Sequence, residues 1–157
     1  MYLDVKRIEF PVTFNCTGRC KHCQIGGILN TGGRFSVDAK KACEAVTRLA
    51  EMFDVDYVLT FGGEPLLAWE TVCAIHQTAY SSGVPSRGLI TNGYFSNDPI
   101  RITEVARRLA ATPITGILLS VDAFHQESIP LEPVHLFAEE LLKAGMRNVR
   151  LHPAWVV

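Results

Sequence analysis

The stretch Cys16-Thr17-Gly18-Arg19-Cys20-Lys21-His22-Cys23 places three thiols within eight residues, and the remainder of the 157-residue chain reads outward from it. No segment approaches the roughly 20 apolar residues needed to cross a bilayer, and Met1-Tyr2-Leu3-Asp4-Val5-Lys6-Arg7 lacks a signal-peptide pattern. A cytoplasmic, reducing location is expected, where such a knot reads as metal chemistry and not as a disulfide framework. The spacing is CxxxCxxC, with no fourth cysteine nearby. Three thiolates would leave one position of a metal site open. A closed structural zinc site needs four ligands, and only His22 could supply the fourth locally, wedged between two cysteines. A four-iron cluster with one iron free for another ligand fits the count better.

With 48% hydrophobic and 20% charged residues and a formal net charge of -1, the chain suits one domain with a real core. Nothing in that balance points to a nucleic-acid-binding surface or a disordered protein.

A strand is predicted over residues 7–14, with Ile8, Phe10, Val12 and Phe14 on one face, and its end delivers the cysteine loop. Ser36 reads as the cap of a helix from about Val37 to Met52. A second strand, Asp56 to Phe61, meets Gly62-Gly63-Glu64-Pro65, and Pro65 suits the first turn of a helix reaching about Tyr80, closed by Gly83. A third strand, Arg87 to Thr91, ends in Asn92-Gly93. Asp98-Pro99 starts the next helix. A fourth strand, Ile114 to Val121, ends at Ser120-Val121-Asp122; Pro133 opens a further helix, Gly145 closes it, and a fifth strand lies near Asn148 to His152. This βα order predicts a parallel α/β sheet, and strand alternation favours a partial (β/α) barrel. Ile117, Leu119 and Val121, like Val149 and Leu151, should pack on helices. Gly116, Leu118, Ser120, Asp122, Asn148, Arg150 and His152 should face a cavity. The motifs all sit at carboxyl ends of strands, where such folds carry their sites.

The CxxxCxxC loop together with Gly62-Gly63-Glu64-Pro65 resembles the radical S-adenosylmethionine (SAM) enzymes over nearly the whole chain. The resemblance implies that Cys16, Cys20 and Cys23 hold three irons of a 4Fe-4S cluster, while the amino and carboxylate groups of SAM chelate the fourth. Reductive cleavage of SAM would give a 5′-deoxyadenosyl radical that abstracts hydrogen from a substrate, for which a peptide or protein is one class. It further implies an electron donor such as flavodoxin or ferredoxin; composition and the lack of a long apolar stretch predict no nucleic-acid or membrane partner. Gly62 and Gly63 would offer backbone polar groups to the methionine part of SAM, and Glu64 would accept a charge-assisted hydrogen bond from its ammonium. Ser120 and Asp122 resemble the family's polar pair for the ribose or methionine portion. Asn92 is a further candidate for that pocket, with a turn role in Asn-Gly as the alternative.

His22 falls where the family often has an aromatic residue near the adenine. His125 reads as a solvated loop histidine, with substrate contact as the alternative, and Arg150 and His152 as pocket residues or exposed edge residues. Arg19 and Lys21 are expected to favour the thiolates, and Cys43 and Cys73 to be small buried hydrophobes on helical stripes. The family core has six βα units. At about 30 residues per unit the chain accommodates five strands, so residues 1–157 are expected to be an incomplete core domain, truncated after about the fifth strand, and inactive in isolation. The loop from Cys16 to Arg34 is expected to be mobile without metal. Two other readings stay open: a non-catalytic iron-sulfur or zinc-binding module, and a glycyl-radical activating enzyme.

Overall fold

The computed structural model describes residues 4–23, 25–27 and 35–154. Gln24, part of the loop expected to be mobile (28–34) and the apolar terminus 155–157 lie outside the described residues. Five strands, β1 (Arg7–Thr13), β2 (Tyr57–Gly62), β3 (Ser86–Thr91), β4 (Gly116–Leu119) and β5 (Val149–Leu151), form one sheet in the order β1-β2-β3-β4-β5, and every pair is parallel. A doubly wound sheet reverses its strand order part way; this one never does. Sequential order is the barrel arrangement, and five strands make a partial one.

The helices follow the same order. Helix α1 (Ala39–Met52) packs on α2 (Trp69–Ser81), α2 on α3 (Pro99–Ala111), and α3 on α5 (Leu131–Lys143). A one-turn helix, α4 (Ala123–Gln126), precedes α5, and a 3-10 turn over Pro65–Ala68 precedes α2. Two apolar clusters fill the space between sheet and helices. One joins Ile8 and Val58 to Ala42, Val46 and Ile75; the other joins Leu89, Ile117 and Leu119 to Ile102, Leu109 and Phe137. Among the described residues no helix is long and apolar enough to cross a membrane.

Several boundaries move for identifiable reasons. Ser36 does not cap α1, because it forms an antiparallel bridge to Thr13 that keeps the chain extended; Asp38 caps instead, accepting from Lys41 N at 2.9 Å. Helix α5 begins two residues before Pro133, which fits there because first-turn N–H groups need no intrahelical partner. The fourth strand is shorter than expected, since the Asp122 carboxylate accepts from Phe124 N and His125 N and starts α4. Gly83 and Gly145 end their helices at positive φ.

The expected alternation holds on β4, where Ile117 and Leu119 are buried against helices while Gly116, Leu118 and Ser120 line recesses on the other face. On β5, Val149 packs on the core; Leu151, in register with Leu119, shares that face but is 69% exposed at the sheet edge, correcting the expectation that it packs on a helix. Cys43 and Cys73 are partly buried hydrophobes on α1 and α2, as expected, away from the other three thiols. Truncating Ile117 to Ala should cost about 2–5 kcal/mol through the cavity left behind, whereas Ile100→Ala, at a position 79% exposed, should stay within about 0.5 kcal/mol of wild type; urea unfolding of the two variants checks both.

Candidate functional site

Strand β1 runs into the cysteine loop through a backbone crossing. Gly63 N donates to Thr13 O at 2.7 Å, and Glu64 N donates to Asn15 O at 2.8 Å. A Cβ on Gly62 would lie 2.6 Å from Thr13 O, and one on Gly63 would penetrate the Asn15 carbonyl. Gly62 also has φ +133°, in the region that favours glycine. The glycine pair thus lets two chains touch. Both glycines line the recess, and the N–H groups of Gly63 and Glu64 are committed to the loop backbone, so of Gly63's backbone polar groups it is the carbonyl that stays open to a ligand.

Glu64 requires the larger correction. It is 0% exposed, and its carboxylate accepts from Leu66 N (2.9 Å), the Thr91 hydroxyl (2.6 Å) and Asn92 N (2.9 Å). No face remains for a ligand ammonium. Glu64 instead clamps the 3-10 turn to the end of β3. Burial pushes its pKa up to about 7, and the donors from Thr91, Leu66, Asn92 and Gly93 oppose part of that rise.

The recess beyond this clamp, about 130 Å³, is lined by Cys16, Cys20 and Cys23, by Gly62 and Gly63, and by Asn92, Ser120 and His125 from three further elements. A second recess of about 350 Å³ adjoins it through His22, Cys23, Ser120 and His125 and extends to His152. Phe61 and Ile90 form an apolar wall common to both. They share a sheet face with Tyr57 and Gly88, so strand alternation could have found them.

The described part of the loop is bonded to segments beyond β3 and β4. The Thr17 hydroxyl donates to Tyr94 O at 2.6 Å, Arg19 N donates to Ser128 Oγ at 2.9 Å, and Lys21 pairs with Glu127 at 3.0 Å. At its base Phe14 stacks on Phe35, with ring centroids 4.6 Å apart. These bonds link Cys16–Cys23 to Tyr94, Glu127 and Ser128. The role given to Arg19 and Lys21 is corrected. Burial pushes the Cys16 thiol up to about 11, with Glu64 and the other two cysteines adding to the rise, and burial together with Cys23 also raises Cys20. Lys21 is engaged by Glu127 and does not offset this.

Asp122 does not line either recess. Its side chain is 7% exposed. One oxygen accepts from Phe124 N and His125 N, the other from His125 Nδ1 at 2.7 Å and Ala154 N at 2.8 Å. Burial pushes this carboxyl up, but the donors on Ala154 and His125 outweigh it and hold the group at about 2. An ionised Asp122 only accepts, so Nδ1 of His125 carries the proton. His125 is consequently not solvated: its side chain is 13% exposed and sits edge-on to His22, with centroids 4.9 Å apart. Although His22, Asp122 and His125 bring ligand-type atoms within 4.8 Å of one another, the four N–H bonds to Asp122 make this a braced histidine more than a metal triad. Arg150 is separated from the thiols. It lines a different recess at the opposite end of the strands with Tyr57, Ser86 and Gly116.

The sequence profile of the Radical SAM superfamily matches residues 10–151, and the chain belongs to that superfamily. It is 27% identical over 156 residues to a GTP 3',8-cyclase of Aeromonas hydrophila, an alignment covering 92% of this chain and 44% of that protein. The chain thus spans less than half the length of that curated relative. Among solved structures, anSMEcpe with bound AdoMet matches with TM-score 0.70 at 18% identity, covering 95% of this chain and 43% of that one. HydG, a maturase of the [FeFe]-hydrogenase, matches with TM-score 0.65 at 16% identity, covering 97% and 36%. Those two likenesses bear on the fold, which is of the radical SAM type.

Between pH 4.5 and about 7, the folded chain keeps a proton on Glu64 that the unfolded chain has released, so raising the pH through this window weakens the fold. The loss should approach about 3 kcal/mol at most. Unfolding free energies measured against pH for wild type and Glu64→Gln should differ in slope across that window and run parallel above it.

Proposed function

We propose that this chain is the cluster- and SAM-binding part of a radical SAM enzyme, with Cys16, Cys20 and Cys23 as iron ligands. The observation that carries this reading is the convergence of three thiols and the Gly62-Gly63 turn on one recess at the carboxyl end of a sequentially ordered parallel sheet. The donor set fits the group: three sulfurs suit a 4Fe-4S cluster that keeps one iron for an exogenous ligand. When bound, cluster and SAM together supply one-electron reductive cleavage of SAM to a 5′-deoxyadenosyl radical that takes a hydrogen atom from substrate.

The protein's own contribution is position, shielding and fixed polarity. Gly62 and Gly63 let the loop dock close to β2. Ser120 presents a hydroxyl to the shared wall of both recesses, and Phe61 and Ile90 exclude water from it. His125, held by Asp122, keeps its second nitrogen for whatever occupies the recess, and His22 and His152 border the same space. Ser120 and His125 are the chain's proposed SAM or substrate contacts, replacing Asp122 and Glu64 in that role. An electron donor of the flavodoxin or ferredoxin kind completes the proposal.

For the substrate, a peptide or protein remains the proposed class. The cyclase relative supports a second reading, a purine nucleotide. Turnover of GTP by the reconstituted protein would move the assignment to that class.

Anaerobic reconstitution with iron and sulfide should give a protein whose cluster spectrum changes on adding SAM and which forms 5′-deoxyadenosine under reduction. Alanine at Cys16, Cys20 or Cys23 should abolish both responses. Bound zinc with no response to SAM would replace the enzyme by a structural or redox module.

A further inference from the structure

Asn92 has a buried carboxamide whose two ends face different partners. Its Oδ1 accepts from Tyr94 N at 2.8 Å, closing an Asx turn at the end of β3. Its Nδ2 lies 3.3 Å from Thr17 Oγ1 and 3.7 Å from Cys16 Sγ. The orientation is determined by chemistry. A backbone N–H can only donate, so the oxygen must face Tyr94. The Thr17 hydroxyl gives its proton to Tyr94 O and therefore accepts from Asn92. The amide N–H groups are left pointing at a hydroxyl oxygen and at sulfur.

The placement of this amide is enforced from below. Asn92 N donates to the Glu64 carboxylate, which also takes the Thr91 hydroxyl, while Gly93 N returns to Thr91 Oγ1 at 2.9 Å. Asn92 itself is 6% exposed, so water does not compete effectively for its donors. Cys16 also receives Gly18 N at 3.3 Å, but a backbone donor within the loop travels with the loop. Asn92 reaches the sulfur from another strand.

From this geometry we propose that Asn92 sets the reduction potential of the cluster by donating a hydrogen bond to the Cys16 thiolate. The inference rests on the reading that Cys16, Cys20 and Cys23 hold a 4Fe-4S cluster, and it moves Asn92 from SAM contact to sulfur donor. The physical cause is charge. One-electron reduction adds negative charge to cluster and thiolates, so an N–H donor stabilises the reduced state more than the oxidised one and raises the potential. A donor that touches only the ligating sulfur tunes a metal centre without touching the metal.

The test is an anaerobic spectroelectrochemical titration of the reconstituted 157-residue chain, comparing wild type, Asn92→Leu and Asn92→Asp. Asn92→Leu removes the donor without adding charge. Asn92→Asp preserves the acceptor for Tyr94 N and puts an oxygen against the sulfur. Both should shift the potential downward, the Asp variant further. A tenfold fall in the ratio of reduced to oxidised protein at a fixed applied potential corresponds to about 59 mV for a one-electron couple, and the Asp variant should reach at least that. Iron content and circular dichroism matching wild type establish that the cluster site is intact. An unchanged or raised potential in the loaded Leu variant overturns the proposal. So does failure of both variants to hold iron while retaining the wild-type fold, since Asn92 would then be a clamp for the loop and not a tuner. If wild type itself takes up no cluster, the reading of the cysteines fails first, which keeps the two failures apart.

Discussion

The site depends on one close approach of backbone to backbone, where Gly62-Gly63 crosses Thr13–Asn15. Gly63 N and Glu64 N bond to carbonyls of the chain that leads into Cys16, and the missing side chains are what permit that distance. With a Cβ at either glycine, β1 and β2 could still pair lower down, but the cysteine loop would be levered away from the strand ends. The thiols would then no longer share a recess with Ser120 and Asn92. A motif that looks like a ligand cradle in sequence is in the first instance a docking point for the loop.

Glu64 extends the same constraint sideways. A carboxylate removed from water must find donors, and those available are the turn at Leu66 and the ends of β3 at Thr91 and Asn92. Its burial therefore draws β2 and β3 together at the rim. On the far side, Asp122 does the equivalent for the segment after β4, uniting α4, His125 and Ala154. Two acidic residues that in sequence read as ligand contacts act as internal anchors, and the groups they hold, Asn92 and His125, face the recess.

The electrostatics of the recess run against free thiolates. Cys16 and Cys20 are raised by burial and by neighbouring negative charge, so the site is suited to a strongly cationic centre, whose field restores the thiolate form. That agrees with a three-sulfur set.

The alternation of strands and helices and the location of the motifs at strand ends were legible in sequence, because each depends on local periodicity and on turn residues such as Gly83, Asp98 and Gly145; the strand order was settled by the packed sheet. The grouping of Cys16, Cys20 and Cys23 was legible too, since spacing alone keeps them close. What each polar group does was decided by tertiary structure. Glu64, Asp122 and Asn92 all lie where a sequence motif suggests a ligand, yet their partners come from segments up to 76 residues away. A carboxylate or amide has several acceptors or donors to satisfy, and only the packed arrangement determines whether ligand or protein satisfies them.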